Sequence, residues 1–277
     1  MATDGSQAPP AAYGGTPAQV EDAWFDAPVC RDCGAPMHGA YCARCGQKRT
    51  ARLAWGDLRR EGWERWRLFE FASARTLLQL AVRPGAVARD YVLGRRKRHA
   101  HPLKLLLVLV ALMVLMIATN GFFDHHAFSR RQDPAMARMA ELVQAWANWS
   151  FSLGILAVFA ASYTVFHRRL GYNAIEHAVL AVYCQCAVMA ALLLGLLPTL
   201  AWDSPDAIVR YKQVFGGAMT VVKLAIVGVA LHQFFLLDLR RQWWRLLLAL
   251  AVYGAASWLL LRAYAYLVLQ FVLRQAA

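Results

Sequence analysis

The sequence holds no phosphate-cradling glycine loop, no HExxH and no GxSxG arrangement. Nucleotide hydrolysis, zinc-peptidase chemistry and elbow-type acyl transfer therefore have no recognisable motif behind them. It also lacks the internal repeat that builds inverted-symmetry transporters. Acidic residues are scarce, 17 Asp and Glu against 30 Lys and Arg, for a net charge of +13. Lysine is rarer still, 5 against 25 arginines, which reads as GC-rich codon usage and not as a binding signal. Residues 1–28 show neither the basic start nor the apolar run of a secretory signal. They are rich in Ala, Pro and Gly, so 1–27 is expected to be a disordered leader on the cytoplasmic side.

What is abundant is apolar. The hydrophobic share is 59% and the mean hydropathy is +0.35, too apolar for an ordinary soluble domain of this length. Nearly every long apolar run falls within 103–273. The charge is clustered too: residues 44–104 hold sixteen Lys and Arg against five Asp and Glu, a local excess of +11. The pattern predicts an all-α polytopic membrane protein with a charged N-terminal region ahead of about five transmembrane helices.

Six cysteines are present, and four of them form a pattern. Cys30 and Cys33 make one CxxC pair, Cys42 and Cys45 a second, and each pair is followed by glycine, Gly34 and Gly46. A metal-binding knuckle needs a residue that tolerates positive φ, which glycine does. Redox or free cysteines are the competing reading, but reduced thiols at this spacing favour a structural zinc ribbon over 28–48. Four thiolates leave no open position, so such a zinc would be structural, and its binding would supply roughly 10–16 kcal/mol to a unit with no core of its own. Cys184 and Cys186 lie two apart in an apolar span and read as small packing residues.

Between ribbon and spans, 49–102 reads as basic amphipathic juxtamembrane helices. Over 53–72, Trp55, Leu58, Gly62, Trp66 and Phe69 recur at helical spacing with Arg59, Arg60, Glu64 and Arg67 elsewhere around the wheel, suiting a membrane interface. Shorter helices are expected over 73–83 and 86–93, the second ending at Gly94. The run Arg95, Arg96, Lys97 and Arg98 lies just before the first span, and that position favours anionic lipid over nucleic acid as its partner.

Spans are expected at about 103–123, 149–166, 178–197, 218–237 and 246–272. Glu176, His177 and His232 fall near the inner ends of the third and fourth. They form a candidate polar cluster that could bind metal, relay protons or join helices, unless Glu176 merely complements a helix N-terminus. Lys223 and Arg262 lie deeper and read as snorkelling toward the outer face, the alternative being a substrate-anion site between them. Trp146, Trp149 and Trp202 fall at outer boundaries, and Trp243 and Trp244 at an inner one.

The chain resembles the bacterial membrane family called domain of unknown function 3667. The resemblance is carried by Tyr41 to Lys48, Arg75-Thr76-Leu77-Leu78, Arg83-Pro84-Gly85 and Asp90-Tyr91. It continues through Gly94 to Arg98, Pro102-Leu103-Lys104 and Asn173 to His177. It implies an N-terminal zinc ribbon, a basic linker and a multi-pass region, but no activity. The expected role is a membrane scaffold or regulator whose ribbon engages a cytoplasmic protein, in the bacterial inner membrane. The alternative is a transporter or channel component using the Glu/His cluster.

The excess of Lys and Arg on one set of loops orients the spans with the N-terminus inside and the C-terminus outside. Reporter fusions at Gly171 and Gln242 should read cytoplasmic, and those at Pro134 and Ala277 periplasmic. A cytoplasmic C-terminus would require an even number of spans.

Overall fold

The computed structural model describes residues 17–56, 71–119, 153–201 and 205–276. Regular structure there is helical, apart from two isolated β-bridges, Val29 with Pro36 and Tyr41 with Lys48. The helices are α1 (Asp22–Asp26), α2 (Phe71–Val82), α3 (Pro84–Val92), α4 (Pro102–Thr119), α5 (Leu153–Phe166), α6 (Ala174–Leu196), α7 (Pro205–Phe234) and α8 (Leu239–Ala276). Among the described residues three segments are long and apolar enough to cross a membrane: Ala174–Leu200, Val214–Phe234 and Leu239–Val268. Two shorter apolar helices, Pro102–Met116 and Leu153–Phe166, stand where the first two spans are expected, each next to residues outside the description. The interfacial helix expected over 53–72 lies mostly outside it, as do residues 1–16, the loop 124–148 and Trp146, Trp149 and Trp202.

α6 is the axis of the bundle. It packs against α2, α3, α4, α5 and α7, and Val179, Leu180, Ala181, Tyr183 and Cys184 on it are buried. It starts four residues before the expected span because Asn173 caps it. The Asn173 side chain accepts from the Glu176 N–H at 2.9 Å, and the Glu176 carboxylate accepts from the Asn173 N–H at 2.7 Å. This reciprocal box satisfies two donors that a helix start leaves open. α8, in contrast, exposes most of its apolar surface, including Trp258, Leu259, Leu261 and Leu267.

One end of the bundle is closed by connections that bond to one another. We call it the ribbon end, because the cysteine unit sits there. The α5–α6 and α7–α8 turns each place a leucine at positive φ, Leu170 at 57° and Leu236 at 47°. Arg169 spans both turns, donating to the carbonyls of Phe235 at 2.9 Å and Leu236 at 3.2 Å. Tyr172 Oη donates to the Phe234 carbonyl at 3.2 Å and accepts from Arg89 Nε at 3.1 Å.

Two expectations change here. Residues 17–27, inside the predicted leader, are folded. Val20 and Phe25 are buried, the Val20 N–H donates to the Leu170 carbonyl at 2.9 Å, and Trp24 Nε1 donates to the Leu93 carbonyl at 3.1 Å. A few apolar residues in a polar stretch suffice, because each finds a site on the bundle. The second change concerns α3, which is part of the bundle end and not a surface helix. Val87, Ala88, Tyr91 and Val92 are buried against α6 and α7, and the Gly85 and Ala86 N–H groups donate to Gln233 Oε1 of α7 at 3.1 and 3.3 Å. A side chain from another helix thus satisfies an otherwise uncapped helix start.

The contact is close enough to dictate glycine. A Cβ on Gly85 would lie 2.1 Å from the Ala230 carbonyl oxygen. Gly85→Ala should destabilise the protein by about 1–3 kcal/mol through overpacking. Gly216→Ala, where nothing lies within 4 Å, should melt like the parent in detergent. Equal melting of both variants would show that α3 does not pack this tightly.

Candidate metal centre and its clamp on the bundle

The two CxxC pairs fold as matched knuckles. The Gly34 N–H donates to the Cys30 carbonyl at 2.9 Å and the Gly46 N–H to the Cys42 carbonyl at 2.7 Å. Gly34 sits at φ 72° and Gly46 at φ 70°, the left-handed geometry expected of both. The four sulfurs lie within 4.8 Å of one another, and the closest pairs, Cys30 with Cys45 and Cys33 with Cys42, stand at 3.5 and 3.6 Å. A tetrahedron with metal–sulfur bonds of 2.3 Å has edges of about 3.8 Å. No disulfide joins these cysteines. The donor set therefore fits a four-coordinate metal ion, and sulfur-only tetrahedral ligation suits zinc or iron. The N–H groups of Cys45 and Arg44 point at Cys42 and hold its thiol down at about 6, whereas burial pushes Cys45 up to about 12. All four must lose their protons together, which a bound cation would drive.

The run 95–98 is turned onto this unit. Arg95 Nε donates to the Arg31 carbonyl at 3.3 Å, Arg96 to the Ala51 carbonyl at 2.8 Å, and Lys97 Nζ to the Cys45 carbonyl. Arg98 pairs with the Asp32 carboxylate and also reaches its carbonyl at 2.7 Å. Gln47 adds a two-way link, donating to the Gly94 carbonyl at 2.6 Å and accepting from the Lys97 N–H at 3.4 Å. Gly94 permits the approach: at φ 93° it would place a Cβ 2.6 Å from Thr50 Oγ1. A divalent ion on four thiolates would carry a net charge near −2, which the cationic donors on the Arg31, Asp32 and Cys45 carbonyls would meet well. Asp90 orders the run from behind, pairing with Arg95 at 2.8 Å and lying 3.6 Å from His99. Burial opposes its ionisation, but His99 and Arg95 outweigh that and hold its carboxyl below the ordinary value.

The second expected cluster is divided. Glu176 is fully buried, and its carboxylate is gripped by Arg52, Nε to Oε1 at 3.1 Å and Nη2 to Oε2 at 3.3 Å. Arg52 also reaches Asp22 at 3.1 Å and the Gly171 carbonyl. The segment that leaves the ribbon is thus pinned to the first turn of α6 and to α1. His177 points the other way, its Nδ1 3.2 Å from Ser162 Oγ and its ring edge-on to Tyr163 and Tyr172. His232 sits half-buried in the last turn of α7 and takes part in neither set of contacts. Glu176 and His177, though adjacent, therefore serve different neighbours.

Arg52 and Arg89 carry structural duties that the sequence pattern did not single out, whereas Asp90 stands in the resemblance set. Arg52 was hidden within a basic stretch, and its partner is 124 residues away. Gln47 had a signal, since it stands in the resemblance set directly after the second knuckle.

Residues 74–114 match the family described as "Protein of unknown function (DUF3667)". This stretch carries most of α2, all of α3, the run 95–98 and most of α4, so the match covers the clamp and the buried bundle end but not the cysteines. No curated protein and no solved structure matches the chain.

Two predictions follow from these contacts. Purified full-length protein should carry close to one metal ion, with Cys42→Ser losing it, as read by elemental analysis; folded, metal-free parent would overturn the site. Arg52→Met should strand the buried Glu176 and cost about 3–5 kcal/mol. Arg52→Met with Glu176→Gln should recover much of that loss, because no lone charge remains. Additive losses in thermal melts would mean the two side chains do not pair.

Proposed function

We propose that this chain is a bacterial inner-membrane scaffold or regulator that holds a structural zinc ribbon rigidly against the cytoplasmic end of its helix bundle and offers the ribbon's outer face to a cytoplasmic protein. The observation that carries this reading is the asymmetry of the ribbon. The ribbon is held by Arg95, Arg96, Lys97, Arg98 and Gln47, while His38, Tyr41 and Arg44 on it are exposed, Tyr41 at 63%. An exposed aromatic beside a cation on a rigid knuckle suits protein recognition, where Tyr and Arg are enriched. Zinc is the favoured ion because two CxxC knuckles supplying a closed four-sulfur set are the ligand pattern of structural zinc ribbons. The charge bias on the loops supports the N-in orientation.

Contact with anionic lipid fits α2 better than the run 95–98. Arg75 is exposed on it and Arg83 directly after it, together with Leu78 at 74% and Val82 at 70%. That combination suits a helix lying at the headgroup level. The transporter reading is the weaker one, since Glu176 is bound to Arg52 and His177 is enclosed by aromatic rings.

A photo-crosslinking residue at position 41 tests the proposal in living cells. We expect one discrete protein adduct, lost in Cys42→Ser and absent when the probe stands at Leu112 on α4. Adducts equal at both positions, or none at position 41, would remove the partner and leave the ribbon as a brace.

A further inference from the structure

The three long spans bring polar residues to one depth. Gln185 lies near the middle of Ala174–Leu200, Lys223 near the middle of Val214–Phe234, and Tyr253 and Ser257 near the middle of Leu239–Val268. All four, with Thr220, line a single cavity of about 510 Å³ between α5, α6, α7 and α8. Its volume falls in the range of about 300–1,000 Å³ typical of ligand sites. Polar groups at mid-bilayer depth are costly and mark function by default. Here each of three helices contributes at least one to the same space, which chance packing does not require.

Lys223 gives the cavity its character. No carboxylate lies within ion-pair distance of it among the described residues. The expectation that it snorkels outward does not suit its place: at 1.5 Å per residue it stands about 14 and 16 Å from the two ends of its apolar segment. The Ser257 hydroxyl on the same lining is buried, one helical turn from Tyr253. The rest of the lining is largely leucine, valine and tryptophan. At the rim, Trp258 and Leu261 are more than half exposed on an apolar helix face, so the approach to the cavity runs through the region where acyl chains would lie.

We propose that this cavity binds an anionic amphiphile, with its carboxylate or phosphate head on Lys223 and its acyl chain along the leucine-lined wall. The head supplies the missing counter-charge, and the Tyr253–Ser257 pair, which also lines the cavity, supplies a hydroxyl donor beside it. A neutral lipid would leave the lysine unpaired, and a soluble anion would not reach it through an apolar rim. The site lies in the middle of the spans, away from the ribbon, and stands independently of the scaffold reading.

The test uses full-length protein purified in an uncharged sugar detergent. Palmitate and hexadecyl phosphate are titrated against hexadecanol, which has the same chain without charge, and binding is read by equilibrium partition and by thermal shift. We expect saturable binding of both anions at least ten-fold tighter than of the alcohol. Lys223→Met should bring the anions to the alcohol's level while keeping the parent melting temperature, because it removes an unpaired charge. Gly254→Leu, at a cavity position where an added Cβ meets nothing within 4 Å, should weaken anions and alcohol alike by occupying the space. Anion preference that survives Lys223→Met, equal affinity for anion and alcohol in the parent, or no saturable binding would each overturn the proposal. Should Lys223→Met fail to fold, undiminished binding to Gly254→Leu would overturn it alone. Preference for only one of the two anions would support it and identify the head group.

Discussion

A carboxylate with no exposure at the start of the central helix is the constraint around which the ribbon end is arranged. Glu176 closes the capping box of α6, and α6 touches most of the other helices. Burying that charge without a partner would cost several kcal/mol. Arg52 meets the need with a two-point grip, but Arg52 lies only seven residues beyond Cys45, so satisfying Glu176 fixes where the ribbon can sit. The choice of arginine matters. Its planar fork reaches both carboxylate oxygens, Asp22 and the Gly171 carbonyl together, which a lysine ammonium would not do.

Once the ribbon is placed, the basic run is drawn onto it. The cationic cluster thereby serves as a fastening within the chain, with Lys97 and Arg98 still exposed to the surroundings. Metal binding at the four cysteines would couple to bundle-end packing through this fastening. A ligand that binds only the folded ribbon stabilises whatever the ribbon braces, and here that includes Gly94, the Asp90 pair and, through Ala51, the segment leading to Arg52. The scaffold reading rests on this rigidity, since a face held at both ends can present Tyr41 in one orientation.

The legible parts of the fold were those with a local chemical signature. Cys30, Cys33, Cys42 and Cys45 could be read because knuckle spacing and following glycines are local constraints, and the structure brings their sulfurs together. Long apolar runs gave the helices of the bundle, although α4 and α5 fall short of full spanning length within the described residues. Gly94 as a helix stop was legible for the same reason. Arg95 to Arg98 show the limit. Their position ahead of a span pointed to lipid, yet their donors go to Arg31, Ala51, Cys45 and Asp32. Charge clusters reveal affinity for opposite charge, and only the tertiary fold decides whether that charge is a membrane or another part of the chain. Glu176 pointed toward His232 for a similar reason: both were placed at one depth, and depth does not specify azimuth around the bundle.

The midplane cavity was illegible for a more general reason. Gln185, Thr220, Tyr253 and Ser257 are each unremarkable within their own helix, Lys223 stands out only as a lone deep charge, and single polar residues in an apolar span invite explanation one at a time. Their meaning comes from convergence, which depends on the rotation of α6, α7 and α8 about their axes. Those rotations are set elsewhere: α6 by Glu176 and the Tyr183 hydroxyl donating to Ala100, and α7 by Gln233 under α3 and the Tyr172 contact with Phe234. The contacts that anchor the ribbon end therefore also fix the direction in which Lys223 points, about 16 Å further along its helix.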